Sequence, residues 1–145
     1  MNDSQKIAAI NLARDLCLKL LERRALAPDQ LAGAMSLITV AAENLIQETK
    51  DGDGLWLVRL ARDFTLKYIE RGLIGSAQAA AVGLAENGDM VTAVAARLSP
   101  NLGAPALNAA RDLTLKMLET GRLSRAAAPA LFEELALAVG QADLK

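Results

Sequence analysis

Arg14, Arg62 and Arg111 stand in the same tripeptide, Ala-Arg-Asp, at intervals of about 48 residues. A guanidinium offers a planar fork of donors that matches carboxylate and phosphate, so a repeated arginine is the first place to look for binding chemistry. Each tripeptide opens a longer match: LARDLCLKLLE over 12–22, LARDFTLKYIE over 60–70 and AARDLTLKMLE over 109–119. The shared pattern is Ala-Arg-Asp-φ-(Thr/Cys)-Leu-Lys-φ-φ-Glu, where φ is apolar. Placed on a helix at about 100° per residue, the apolar positions of the first copy (Ala13, Leu16, Cys17, Leu18, Leu20, Leu21) sweep an arc of roughly 200°. Asp15, Lys19 and Glu22 fall outside it. They make i,i+4 and i,i+3 neighbours on a solvated face, worth about 0.2–0.5 kcal/mol per pair.

Arg14 falls inside the arc, between Leu21 and Leu18, and Arg62 and Arg111 share its register. A charge facing packed leucine must snorkel, pair or bind, because an unpaired buried charge costs several kcal/mol. One reading is structural: an ion pair between helices or repeats, or capping of a neighbouring helix, with Glu43, Glu86 and Glu133 as candidate partners. The other makes Arg14, Arg62 and Arg111 an anion-binding or partner-docking surface.

Other chemistry is thinner. The chain has no histidine, which removes Cys-His nucleophiles, Ser-His-Asp triads and histidine-bearing zinc and di-iron sites. Cys17, the single cysteine, aligns with Thr65 and Thr114 on the apolar arc and reads as a small buried filler. Lys50-Asp51-Gly52-Asp53-Gly54 resembles the middle of an EF-hand loop, but the first and twelfth ligand positions hold Thr49 and Leu60, so the anionic cage is incomplete. The segment reads as a helix-breaking turn. Trp56, Phe64, Tyr68 and Phe132 are too scattered for a nucleic-acid stacking platform and suit gaps in a core of Ala and Leu. No catalytic, cofactor or metal site is expected.

The elements that carry these residues are helical. Hydrophobic residues make up 52% of the 145-residue chain, aromatics only 3%, and mean hydropathy is +0.22. Ala and Leu dominate, both strong helix formers, while strand-favouring residues are sparse. Self-comparison predicts an all-α fold of antiparallel helix pairs, a bundle or short solenoid of three related helical hairpins over roughly 4–50, 54–99 and 104–142, within a single domain. Helices are expected over Ser4–Arg24, Pro28–Thr49, Leu55–Arg71, Ser76–Glu86, Asp89–Leu98, Pro105–Thr120 and Ser124–Gln141, with Asn87-Gly88 breaking the chain between the fourth and fifth. Gly72 and Gly121 suit left-handed helix ends, Ser76 and Ser124 suit N-caps, and Arg24 stands where the other copies have glycine.

Sixteen basic against seventeen acidic residues, a net charge of −1, give no global field toward nucleic acid or anionic membrane. The polar N-terminus carries no secretory signal, and the uncharged run from Gly72 to Ala85 is too short to span a bilayer. A cytoplasmic, non-enzymatic interaction or scaffolding module is therefore expected, self-associating or docking another protein through an Ala/Leu-rich face. The alternative is a small regulatory protein that binds nucleic acid or another anion through the repeated arginines.

Overall fold

The computed structural model describes residues 1–49 and 55–142, with side chains to 140. The EF-hand-like segment at 50–54 lies outside the described residues. Among those described, the chain is all-helical, with no strand: α1 (Asp3–Glu22), a 3₁₀ turn (Pro28–Gln30), α2 (Leu31–Glu48), α3 (Leu55–Glu70), α4 (Ala77–Ala95), α5 (Gly103–Glu119) and α6 (Ala128–Ala142). The three copies of the Ala-Arg-Asp motif fall on α1, α3 and α5. The chain divides into two compact units, Met1–Gly88 and Asp89–Lys145, and the boundary falls within α4.

Local chemistry sets most helix ends. α1 begins at Asp3 because Asn2 Oδ1 accepts from the Gln5 amide at 2.8 Å while Gln5 Oε1 accepts from the Asn2 amide at 3.1 Å. This reciprocal box satisfies two donors that the first turn would otherwise leave open. Ser76 Oγ accepts from the Ala79 amide at 3.1 Å, and Ser124 Oγ from the Ala127 amide at 3.2 Å. Both serines thus cap the chain entering α4 and α6.

The three motif helices end alike. The Ala25, Leu73 and Arg122 amides donate to the carbonyls of Leu20, Tyr68 and Met117 at 2.8, 2.8 and 3.0 Å, closing the wide ring of a Schellman stop. The residue inside each ring takes a left-handed backbone: Gly72 at φ +74°, Gly121 at +75° and Arg24 at +58°. Arg24 therefore makes the glycine turn without being glycine, against the Cβ clash that costs an L-residue about 1–2 kcal/mol in this region. Its side chain is exposed, so nothing in packing requires it. Arg24→Gly is expected to stabilise the unit by about 0.5–1 kcal/mol, read as a higher urea midpoint with unchanged slope.

The predicted break at Asn87-Gly88 does not occur; α4 runs unbroken through it. Both residues are buried. Asn87 Nδ2 donates to Thr65 Oγ1 on α3 at 3.0 Å. Gly88 lies so close to α2 that an added Cβ would sit 2.2 Å from Leu45 Cδ1. A pair that reads as a turn from neighbouring residues is, in the folded chain, a polar tie and a close helix approach.

The core of the first unit lies where α1, α2, α3 and the start of α4 converge, around Leu16, Leu20, Ile38, Ile46, Leu60, Phe64, Ile69 and Leu84, all fully buried. Phe64 and Tyr68 place their ring centroids 6.4 Å apart at 47°, within the range favoured by tilted aromatic pairs. Trp56 is half-buried and plugs less of the core than expected. In the second unit α5 packs on α6 through Leu107, Leu118 and Phe132.

Candidate interaction surface

On α1 the buried set is Ala9, Leu12, Ala13, Leu16, Cys17 and Leu20. That is narrower than the predicted arc, because Leu18 is exposed and Leu21 only half-buried. Arg14 therefore faces solvent rather than packed leucine: its side chain is 58% exposed, against 28% for Arg62 and 23% for Arg111. The three arginines share a register but not an environment.

Their acceptors are aspartates of the same motif. Arg14 Nη2 donates to Asp15 Oδ1 at 3.0 Å, Arg62 Nη2 to Asp63 Oδ1 at 3.1 Å, and Arg111 Nε to Asp112 Oδ1 at 3.1 Å. Arg62 also reaches across from α3 to α1, where Nη1 donates to Asp15 Oδ2 at 3.4 Å. Asp15 thus joins two copies of the motif. The i,i+3 pairs follow the predicted ladder, with Lys19–Glu22 and Lys67–Glu70 at 3.2 Å and Lys116–Glu119 at 3.7 Å. Glu133, a candidate partner for the motif arginines, pairs with Arg97 instead.

The α1–α3 junction leaves a recess of about 190 Å³. Its α1 side includes Ala8, Leu12, Arg14 and Asp15, and its α3 side Leu55, Val58, Arg59 and Arg62. Three guanidiniums thus meet one carboxylate there, and that carboxylate already accepts from two of them. Arg111 belongs to the other unit.

Beside Arg14, α1 carries Ile7, Ile10 and Leu18, each half or more exposed. Steps of 3, 4 and 4 residues place Ile7, Ile10, Arg14 and Leu18 in one stripe. The motif equivalent of Ile10 on α3 is Val58 and on α5 is Leu107, and both are buried. Sequence reading missed this stripe because Ile7 and Ile10 precede the motif. Aligning the residues ahead of each Ala-Arg-Asp puts Ile10 with Val58 and Leu107, apolar in every copy, so no sequence signal distinguishes the exposed one.

A recess of about 320 Å³ between the α1–α2 connection and the start of α4 is lined by Leu26, Gln30, Ala34, Ser76 and Gln78 among others, with no ionisable side chain. It offers no acid–base pair. Among the described residues no cluster of His, Cys, Asp or Glu has metal-ligand spacing, and no helix is long and apolar enough to cross a membrane.

The Cys/Thr column of the motif is buried in all three copies. Burial pushes the Cys17 thiol above its ordinary pKa, which keeps it protonated and poorly nucleophilic at neutral pH. A thiol raised in this way lends stability that is full below the ordinary thiol pKa and lost as pH rises through the raised one. Thr65 Oγ1 donates to the Ala61 carbonyl at 2.9 Å and accepts from Asn87. Thr114 Oγ1 is equally buried but has no hydrogen-bond partner among the described residues. Thr65→Val is expected to cost about 1–2 kcal/mol because it strands the buried Asn87 amide, whereas Thr114→Val should be neutral or stabilising. Equal losses in urea unfolding would contradict this assignment.

No protein-family profile, curated protein or solved structure matches the chain.

Proposed function

We propose that this chain is a non-enzymatic helical interaction module, built of three related helical hairpins, that self-associates or docks another protein through an Ala/Leu-rich face. The observation that carries the reading is the α1 stripe of Ile7, Ile10 and Leu18, apolar surface that its own unit leaves in water. Exposed apolar side chains aligned along one helix supply the i, i+3, i+4 anchors by which helices dock. The absence of histidine and the uncharged lining of the recess beside the α1–α2 connection fit a role without catalysis. A cytoplasmic setting is part of the proposal and draws on the lone, unpaired Cys17.

Sedimentation velocity over a concentration series tests it. Wild type should associate, and Ile10→Lys should weaken association at least about tenfold by placing an ammonium in the contact. A wild type that stays monomeric at every concentration overturns the self-association reading.

The second reading, a regulatory protein binding nucleic acid or another anion through Arg14, Arg62 and Arg111, draws on two of those arginines, Arg14 and Arg62, which line the α1–α3 recess together with Arg59. It predicts that inorganic phosphate raises the thermal midpoint, that salt abolishes the effect, and that Arg59→Gln removes it. Asp15, already accepting from Arg14 and Arg62, makes this the weaker reading.

A further inference from the structure

The α1–α3 junction is a template with two unlike sides. One side is the Asp15 face of α1, with Ala8, Leu12 and the largely exposed Arg14 reaching its edge; the other is the Arg62 face of α3, with Leu55, Val58 and Arg59. Every motif helix carries both faces in its sequence, since each has an Arg-Asp pair in the same register. On α1 the Arg side is uncovered: Arg14 is the most exposed of the three arginines, and Ile7 and Ile10 stand where Leu55 and Val58 stand on α3. On α5 the Asp side is uncovered. Asp112 is 69% exposed, against 25% for Asp15 and 22% for Asp63. Leu113 is exposed where Leu16 and Phe64 are fully buried, and Lys116 is far more exposed than Lys19 or Lys67.

One open face thus presents a guanidinium among aliphatic side chains, and the other presents a carboxylate beside a leucine. They are the two halves of the junction the chain makes between α1 and α3. We propose that copies of this chain associate head to tail, the Arg14 face of α1 in one copy seating on the Asp112 face of α5 in the next. The inference rests on the self-association reading above and names its partner as a second copy. Such a contact is heterologous, joining unlike faces, so it propagates into a ring or filament instead of stopping at a symmetric dimer. The ion pair sets register and orientation, while the aliphatic side chains supply the buried area.

Charge reversal with mixing tests this in sedimentation velocity, with circular dichroism confirming that the variants keep their helices. Wild type should grow past dimer as concentration rises. R14D and D112R each put like charges at the junction, and each should weaken association at least about tenfold. An equimolar mixture of R14D and D112R places opposite charges at every junction between unlike chains and should recover association. The double variant R14D/D112R, with the pair reversed, should recover it alone. Association of D112R equal to wild type overturns the head-to-tail arrangement while leaving self-association through α1 standing. Weakened single variants that do not recover on mixing overturn the pairing. A wild type monomeric at every concentration overturns both this inference and the reading beneath it.

Discussion

Truncating Phe64 to alanine is expected to lower the unfolding free energy by about 3–5 kcal/mol, whereas Leu113→Ala, at the same motif position in the third copy, should cost less than about 0.5 kcal/mol. Phe64 is fully enclosed and is one of the two largest side chains in that state, while Leu113 is more than half exposed. Removing the ring forfeits its transfer free energy and leaves a cavity that the surrounding structure relaxes only partly to fill. Removing the Leu113 side chain returns little to water, because most of it is already there, and alanine keeps the helix propensity. Urea unfolding at low protein concentration, where association does not contribute, measures both. Losses of similar size would mean that Leu113 is covered in the free chain, and the open α5 face would have to be given up.

Gly88→Val is expected to cost about 3 kcal/mol, at the upper end of ordinary overpacking. A Cβ at this position would lie 2.2 Å from Leu45 Cδ1, 2.8 Å from Cδ2 and 3.0 Å from Cγ. The Leu45 side chain would have to change rotamer as a whole, and Leu45 is itself buried. Valine adds two methyl groups to that conflict and restricts its own χ1 in a helix. The source of the cost can be isolated by a double-mutant cycle. In a Leu45→Ala background the three opposing atoms are gone, and the same substitution should cost at most about 1 kcal/mol. If Gly88→Val costs the same in both backgrounds, the close approach of α2 and α4 is not what selects glycine.

Both experiments bear on the interaction surface. The α1 and α5 faces are useful for docking only if each unit holds its helices without help from a second chain. The same motif position serves as core anchor on α3 and as exposed side chain on α5, so core stability and the proposed interface can be mutated separately.

Much of the local structure was legible in the residues. Gly72 and Gly121 end helices as left-handed residues, Ser76 and Ser124 cap, and Lys pairs with Glu three positions on. These outcomes depend on groups within about five residues of one another, a range over which chain geometry is settled by backbone sterics and hydrogen bonds. Arg24 was not legible in this way: it stands where the other copies have glycine, and the wide backbone ring imposes the left-handed turn although the residue resists it. Several bounds moved: α1 starts at Asp3 instead of Ser4, because Asn2 caps with Gln5, α5 starts at Gly103 instead of Pro105, and α6 starts at Ala128 instead of Ser124.

The candidate site was legible by position and not by environment. The motif marked Arg14, Arg62 and Arg111, and a single helical projection gave them the same surroundings. Their exposures differ because a projection knows only its own helix. Whether Arg14 meets leucine or water depends on what lies over that face of α1, and the acceptor that distinguishes Arg62 is Asp15, 47 residues away. Asn87-Gly88 failed for the same reason, since Thr65 and Leu45 turn two helix-breaking residues into helix interior. The sequence by itself determined the helical class, the stops of the three motif helices and the threefold motif. Tertiary structure alone decided which copies of that motif are covered, because burial is a property of neighbours that no local pattern contains.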